Sequence, residues 1–222
     1  MRTTLKKIGT LATAVGLAIG VATPASAATG DTATFSFTSD HCTGGCGPQA
    51  SFGSVIVTDL AGDALGFNVT LLNGNKFVST GVGGGIEASF AFSLNGDPTI
   101  TYSAINSNFI AVGGNPQSAG SVHMDGGGFY EYGLQWNGGS GGGNADPNPI
   151  LTFTITGTGL TLASLQPVAG QYFVADIISG TTGLTGVVDA TPAIPEPETY
   201  AMMLAGLGLM GFVARRRKQK AA

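Results

Sequence analysis

Basic residues are almost missing from the interior of this 222-residue chain. Of nine Lys and Arg, three are Arg2, Lys6 and Lys7, five are Arg215, Arg216, Arg217, Lys218 and Lys220, and only Lys76 lies between. That absence excludes nucleic-acid binding, which needs a basic face to neutralise phosphates. Residues 28–194 hold one lysine against eleven acids, a formal net charge of −10. Charged residues make up only 10% of the chain while glycine reaches 37 positions. Such an acidic, polar, glycine-rich composition suits an exported protein that must stay soluble.

Cysteine is scarce too. Cys42 and Cys46 are the two in the chain, set in "HCTGGCG", and a local disulfide is expected because the glycines let the backbone turn tightly. So short a loop restrains little chain entropy, so its contribution to stability is modest. A competing reading adds His41, and distant His123, as ligands for zinc or copper. One C-x3-C with a neighbouring histidine lacks the fuller ligand set such metals use, so no metal site is assigned.

Long apolar runs are absent between the two ends. Residues 1–27 carry early cations, an apolar run from Ile8 to Val21, Pro24 and the triplet Ala25, Ser26, Ala27. This is the order of a secretory signal peptide with cleavage after Ala27; a retained anchor fits less well because the run is short and a cleavage site follows it. Near the other end, Tyr200 to Ala214 reads "YAMMLAGLGLMGFVA", fifteen residues without a charge. That falls below the roughly 20 residues of a comfortable membrane helix, yet it could cross a thin bilayer with Arg215 onward kept cytoplasmic. Gly206, Gly208 and Gly211 weaken the helix and suit a brief hold rather than a lasting anchor. Just before it, Pro192, Pro195 and Pro197 in "PAIPEPET" disfavour helix and strand and leave an extended segment that an enzyme can grip.

Pro195, Glu196 and Pro197, the apolar segment, and the stop signal Arg215, Arg216, Arg217 and Lys218 together resemble the PEP-CTERM protein-sorting signal. The resemblance covers about thirty residues. It implies a pause in the inner membrane after passage through the secretion machinery and signal peptidase. Recognition and removal of the tail by an exosortase, a membrane-embedded cysteine transpeptidase-like enzyme, would follow. Sorting to the outside of a Gram-negative cell, often one that makes exopolysaccharide, is the implied destination. "YFVADIISGTTGLTGVVDA" (172–190) is also similar to a stretch found upstream of this signal.

The middle of the chain alternates apolar and polar residues with a period of two. "TATFSFT" (32–38), "GSVIVTDL" (53–60), "ALGFNVTLL" (64–72), "IEASFAFSL" (86–94), "PILTFTITG" (149–157) and "QYFVADII" (171–178) read as half-buried strands. Turn signals at 73–75, 95–98, 113–116 and 137–149 separate them, and no helical period or internal repeat is present between the ends. The expected fold is all-β, an antiparallel β-sandwich of the jelly-roll kind. It would occupy residues 28–190, between the signal peptide (1–27) and the sorting signal with its single hydrophobic helix (191–222).

No catalytic residue is assigned. "GGSGGG" around Ser140 is not a nucleophile elbow, and "GVGGGIEA" (81–88) lacks dinucleotide spacing. Asp125 and Glu131 could be imagined as glycosidase acids, but solvated turn acids are the simpler reading. Tyr130, Tyr132 and Trp136 have the even spacing that would put them on one strand face, where they could stack on sugar rings; core packing is the competing account. Asp59, Asp63, Asn95, Asp97, Asn144 and Asp146 offer oxygen ligands for calcium from loops, without an EF-hand or nonapeptide repeat. The expected function is therefore a non-enzymatic surface or matrix protein associated with exopolysaccharide or biofilm. A carbohydrate-binding module and a secreted polysaccharide hydrolase are the alternatives.

Overall fold

The structure, a computed structural model, describes residues 29–80, 85–106, 108–113, 121–139 and 144–192, with Gly206, Leu207 and Met210. The expected signal peptide lies outside the described residues. So does the expected membrane helix, apart from those three helical positions.

Alternation generates strands along the chain. They are β1 (Thr32–Asp40), β2 (Gly53–Leu60), β3 (Ala64–Leu71), β4 (Lys76–Phe77), β5 (Ile86–Glu87), β6 (Phe90–Leu94), β7 (Thr101–Ser103) and β8 (Phe109–Gly113). There follow β9 (Val122–Met124), β10 (Gly128–Tyr130), β11 (Tyr132–Trp136), β12 (Ile150–Thr156), β13 (Leu165–Gln166), β14 (Phe173–Ile178) and β15 (Thr185–Pro192). A 3-10 turn, Leu162–Ser164, interrupts them.

The all-β architecture read from the sequence is the one observed, antiparallel throughout the large sheet, while β5 and β9 of the small sheet pair in parallel. Its two layers are halves of one continuous sheet, in the order β7-β12-β3-β2-β1-β15-β14-β6-β11-β8. The end strands β7 and β8 are consecutive in the chain and joined across residues 104–108, so the sheet rolls nearly shut. Asn106 holds this link against β12: its Nδ2 donates to Ile150 O at 2.9 Å and its Oδ1 accepts from Thr152 N at 3.1 Å.

The core fills the space between the two halves. Phe67 on β3 stacks on its neighbour Phe153 of β12 with ring centroids 4.4 Å apart, and meets Phe92 and Phe173 from the opposite layer at 5.3 and 6.1 Å. Each fully buried side chain of this size contributes roughly 1.5–3 kcal/mol relative to exposure. The phenylalanine-rich inward rows therefore carry much of the driving force.

The stretch 172–190 becomes β14 and β15, which pair with each other and sit at the middle of the sheet, β15 against β1 and β14 against β6. A three-stranded sheet, β10-β9-β5, stands apart from the large one.

Candidate functional site

Alternation in "FVADII" sends Phe173, Ala175 and Ile177 into the main core and turns Val174 and Asp176 to the other face. In "GVVDA", Val188 and Ala190 point inward while Val187 and Asp189 point out. The small sheet covers that outer face: Val122, Met124 and Tyr130 pack on Val174 and Val187, with Ala88 and Ala91, as a second core. The β9–β10 turn comes so close that a Cβ on Gly127 would lie 2.7 Å from Val187 Cγ1. Only glycine permits that approach.

This seam gathers titratable groups. Asp176 is 4% exposed; its Oδ2 accepts from Thr80 N at 2.7 Å and Thr80 Oγ1 at 2.6 Å. Burial pushes its carboxyl up to about 7, the Thr80 hydrogen bonds pull it down, and the nearby charges of Asp125 and Glu87 push it up further. Asp189, 2% exposed, has its Oδ2 2.6 Å from His41 Nε2 and 3.3 Å from Ser39 Oγ. Burial, then Asp189 and Glu131, raise the Tyr130 phenol above its ordinary value. Tyr130 Oη, Glu131 Oε2, Asp176 Oδ1 and Asp189 Oδ1 have no hydrogen-bond partner among the described residues. The two aspartates are diagonal neighbours on paired strands, since Asp176 faces Val187 and Asp189 faces Val174. Both are sealed beneath the hairpin, so in this conformation a sugar ring does not reach them.

Cys42 and Cys46 are joined as a disulfide, with Cα atoms 5.4 Å apart. Asp40 Oδ1 accepts from the backbone N–H of both cysteines, at 3.3 and 3.2 Å. His41 turns to Asp189 and His123 stacks on Phe129 with centroids 4.3 Å apart. Among the described residues, the group that clusters with the two sulfurs is Asp40, not either histidine.

The even-spaced aromatics do not form one platform. Tyr130 ends β10 in the small sheet and is buried in the second core, whereas Tyr132 begins β11 in the large sheet and is buried in the main one. Glu131 is the break between the two sheets, so a period counted across it changes faces. The Tyr132 hydroxyl donates to Pro98 O at 2.6 Å, its ring stacks on Phe92, and burial pushes its phenol up to about 12. Trp136 is half-buried and its indole N–H donates to Asn144 O at 2.7 Å. The exposed aromatic ring in this region is Phe129, at 54%.

The loop acids act separately. Asp59 Oδ2 accepts from Leu162 N, Asp63 Oδ2 from Gly159 N, and Asp146 Oδ1 from Asn148 N and Asn108 Nδ2. Asn95 Nδ2 donates to Ala163 O, and Asp97 sits exposed in its turn with φ +47°. Among the described residues, none of these carboxylates joins a cluster of three acids or histidines. Asp125 and Glu131 flank opposite ends of β10 rather than facing each other.

Asp176 and Asp189 escaped the sequence reading. The available signal was a lone acid at an outward position of a strand otherwise apolar on both faces, which marks a second covering layer.

β15 ends at Pro192, and the sorting residues Pro195, Glu196, Pro197 and Arg215–Lys218 lie outside the described residues. Among the described residues, no helix is long and apolar enough to cross a membrane. Residues 193–218 match the family model of the PEP-CTERM protein-sorting motif. Compared with curated proteins and with solved structures, the chain matches none.

Proposed function

We propose that this chain, which carries a PEP-CTERM sorting signal, is a non-enzymatic protein of the cell surface or extracellular matrix that associates with exopolysaccharide. The observation that carries the reading is the motif at 193–218, beginning where the last strand of the domain stops. The signal peptide at 1–27 starts export. The short apolar segment before Arg215 then halts the chain in the inner membrane, with Arg215–Lys218 on the cytoplasmic side. An exosortase acts on the Pro-Glu-Pro region and frees the domain outward.

A domain with a formal charge of −10 and a core sealed on both faces supports a structural role at that destination. The covering of Asp176 and Asp189 supports the same reading over a polysaccharide hydrolase.

Intact mass of the protein recovered from the medium and envelope of its native host tests the sorting step. A chain beginning at Ala28 and ending between Pro195 and Thr199 is expected. A chain ending at Ala222 and residing in the inner membrane would make the tail an anchor and overturn the reading.

A further inference from the structure

The outer face of the β12-β3-β2-β1 half-sheet is built from uncharged side chains in register. One rank across it reads Thr154, Gly66, Thr58, Thr32; the next reads Thr152, Asn68, Ile56, Thr34; the third reads Ile150, Thr70, Ser54, Ser36. All twelve positions are exposed or half-exposed, and none is ionisable in a domain that holds eleven acids. Among the described residues, the one side-chain hydrogen bond within these ranks runs from Thr70 Oγ1 to Asn68 Oδ1 at 3.2 Å. The other hydroxyls of these ranks have no side-chain hydrogen-bond partner among the described residues. A shallow groove of about 360 Å³ lies over the β12, β3 and β2 part of the face, lined by Ile56, Thr58, Leu60, Asn68, Thr152 and Thr154.

We propose that this hydroxyl-rich, charge-free face is a docking surface for a neutral polysaccharide chain. The inference rests on the exopolysaccharide association above and assigns it to a place on the fold. Threonine offers a hydroxyl and a methyl side by side, the two kinds of contact a pyranose presents at its rim and on its C–H face. Neighbouring strands lie about 4.8 Å apart, a spacing comparable with one sugar unit, so a glycan lying across the strands meets a polar group at each step. Each such hydrogen bond nets only about 1 kcal/mol in water, so retention comes from many repeats on one long chain.

Charge selects the occupant. A polyanionic glycan would approach a domain of charge −10 against repulsion, with no cation on the face to offset it. A second copy stacked sheet to sheet at about 10 Å would bring two such domains within a Debye length. A neutral glycan meets neither obstacle.

The test is co-sedimentation of the full-length chain, in a detergent without a sugar headgroup, with insoluble cellulose and β-1,3-glucan, and with covalently cross-linked, calcium-free alginate beads. Retention on at least one neutral glucan, insensitive to salt, is expected. Thr34→Glu with Asn68→Glu, both at exposed positions, should lower that retention at least about tenfold with the melting temperature unchanged, and Thr152→Ala with Thr154→Ala should weaken it in the same direction. Asn68→Gln should retain binding. Equal retention of wild type and the Glu variant would overturn the face as the site while leaving polysaccharide association standing. No retention on either neutral glucan would overturn the face and, for glucans of this class, the association. Binding to alginate alone, or a dimer in sedimentation velocity that the Glu variant abolishes, would replace the neutral glycan with another occupant.

Discussion

His41 Nε2 lies 2.6 Å from Asp189 Oδ2, tying the loop that follows β1 to the outward face of β15. The histidine side chain is 42% exposed and the aspartate side chain is buried, so the contact closes the rim of the second core. Without the imidazole, Asp189 Oδ2 keeps Ser39 Oγ at 3.3 Å as a donor, and Oδ1 has none among the described residues.

His41→Ala should therefore destabilise the domain by about 1–3 kcal/mol, the cost of a buried polar group that loses its partner. Asp189→Asn alone should cost less, and the double variant should recover part of the loss of His41→Ala, read as a coupling in urea unfolding. A His41→Ala effect under about 0.5 kcal/mol would mean that the contact does not hold the rim.

Asp176 sets a pH dependence of the opposite sense to that of a salt-bridged carboxylate. Its folded value stands near 7 against an ordinary 3.8, raised first by burial. Between those values the folded state binds more protons than the unfolded one, so stability is full at the acid end and falls as pH rises through about 7. The slope approaches about 1.4 kcal/mol per pH unit at most. Asp176→Asn, which keeps an acceptor for Thr80, should flatten the melting-temperature profile and stabilise the protein above neutrality. Parallel profiles for the two proteins would remove Asp176 as the cause.

The inward rows of the main core were legible because their alternation is unbroken. Phe35 and Phe37, Phe90 and Phe92, and Leu151, Phe153 and Ile155 each keep a period of two within one strand. The second core was not, because β5 and β10 are two and three residues long, too short to display a period. Tyr130, Glu131 and Tyr132 look continuous in the chain yet pass from one sheet to another at Glu131. Asp189 and His41 are 148 residues apart in sequence, so no local pattern joins them. The sorting motif was legible, since it is a linear pattern, matched over residues 193–218, rather than one assembled by folding.

The Cys42–Cys46 bond closes a small loop whose backbone is already held by Asp40 through the N–H groups of both cysteines. Reduction, or Cys42→Ser with Cys46→Ser, should lower stability by about 2 kcal/mol or less and leave the fold intact. Thiol titration of the unreduced, unfolded protein should find no free thiol. Two free thiols would dismiss the bond, and unfolding on mild reduction would show that the loop contributes far more than its length implies.

β15 is the last strand among the described residues. That strand is hydrogen-bonded to β14 on one side and β1 on the other, with Pro192 opposite Phe35 as the last paired position. A chain ending at Pro192 should melt within about 0.5 kcal/mol of the full-length protein, because it loses no described strand contact. A chain ending at Gly183 should fail to fold, since it removes the strand that joins the two halves of the sheet, along with Val187, Val188 and Ala190 from both cores. Comparison of the three chains by thermal melting and near-UV circular dichroism separates the cases. If the Pro192 chain were destabilised by more than about 1 kcal/mol, the tail would be part of the folded unit. Its removal during sorting would then remodel the domain. If the two melt alike, processing releases a domain already in its final form, and the tail acts as an address alone.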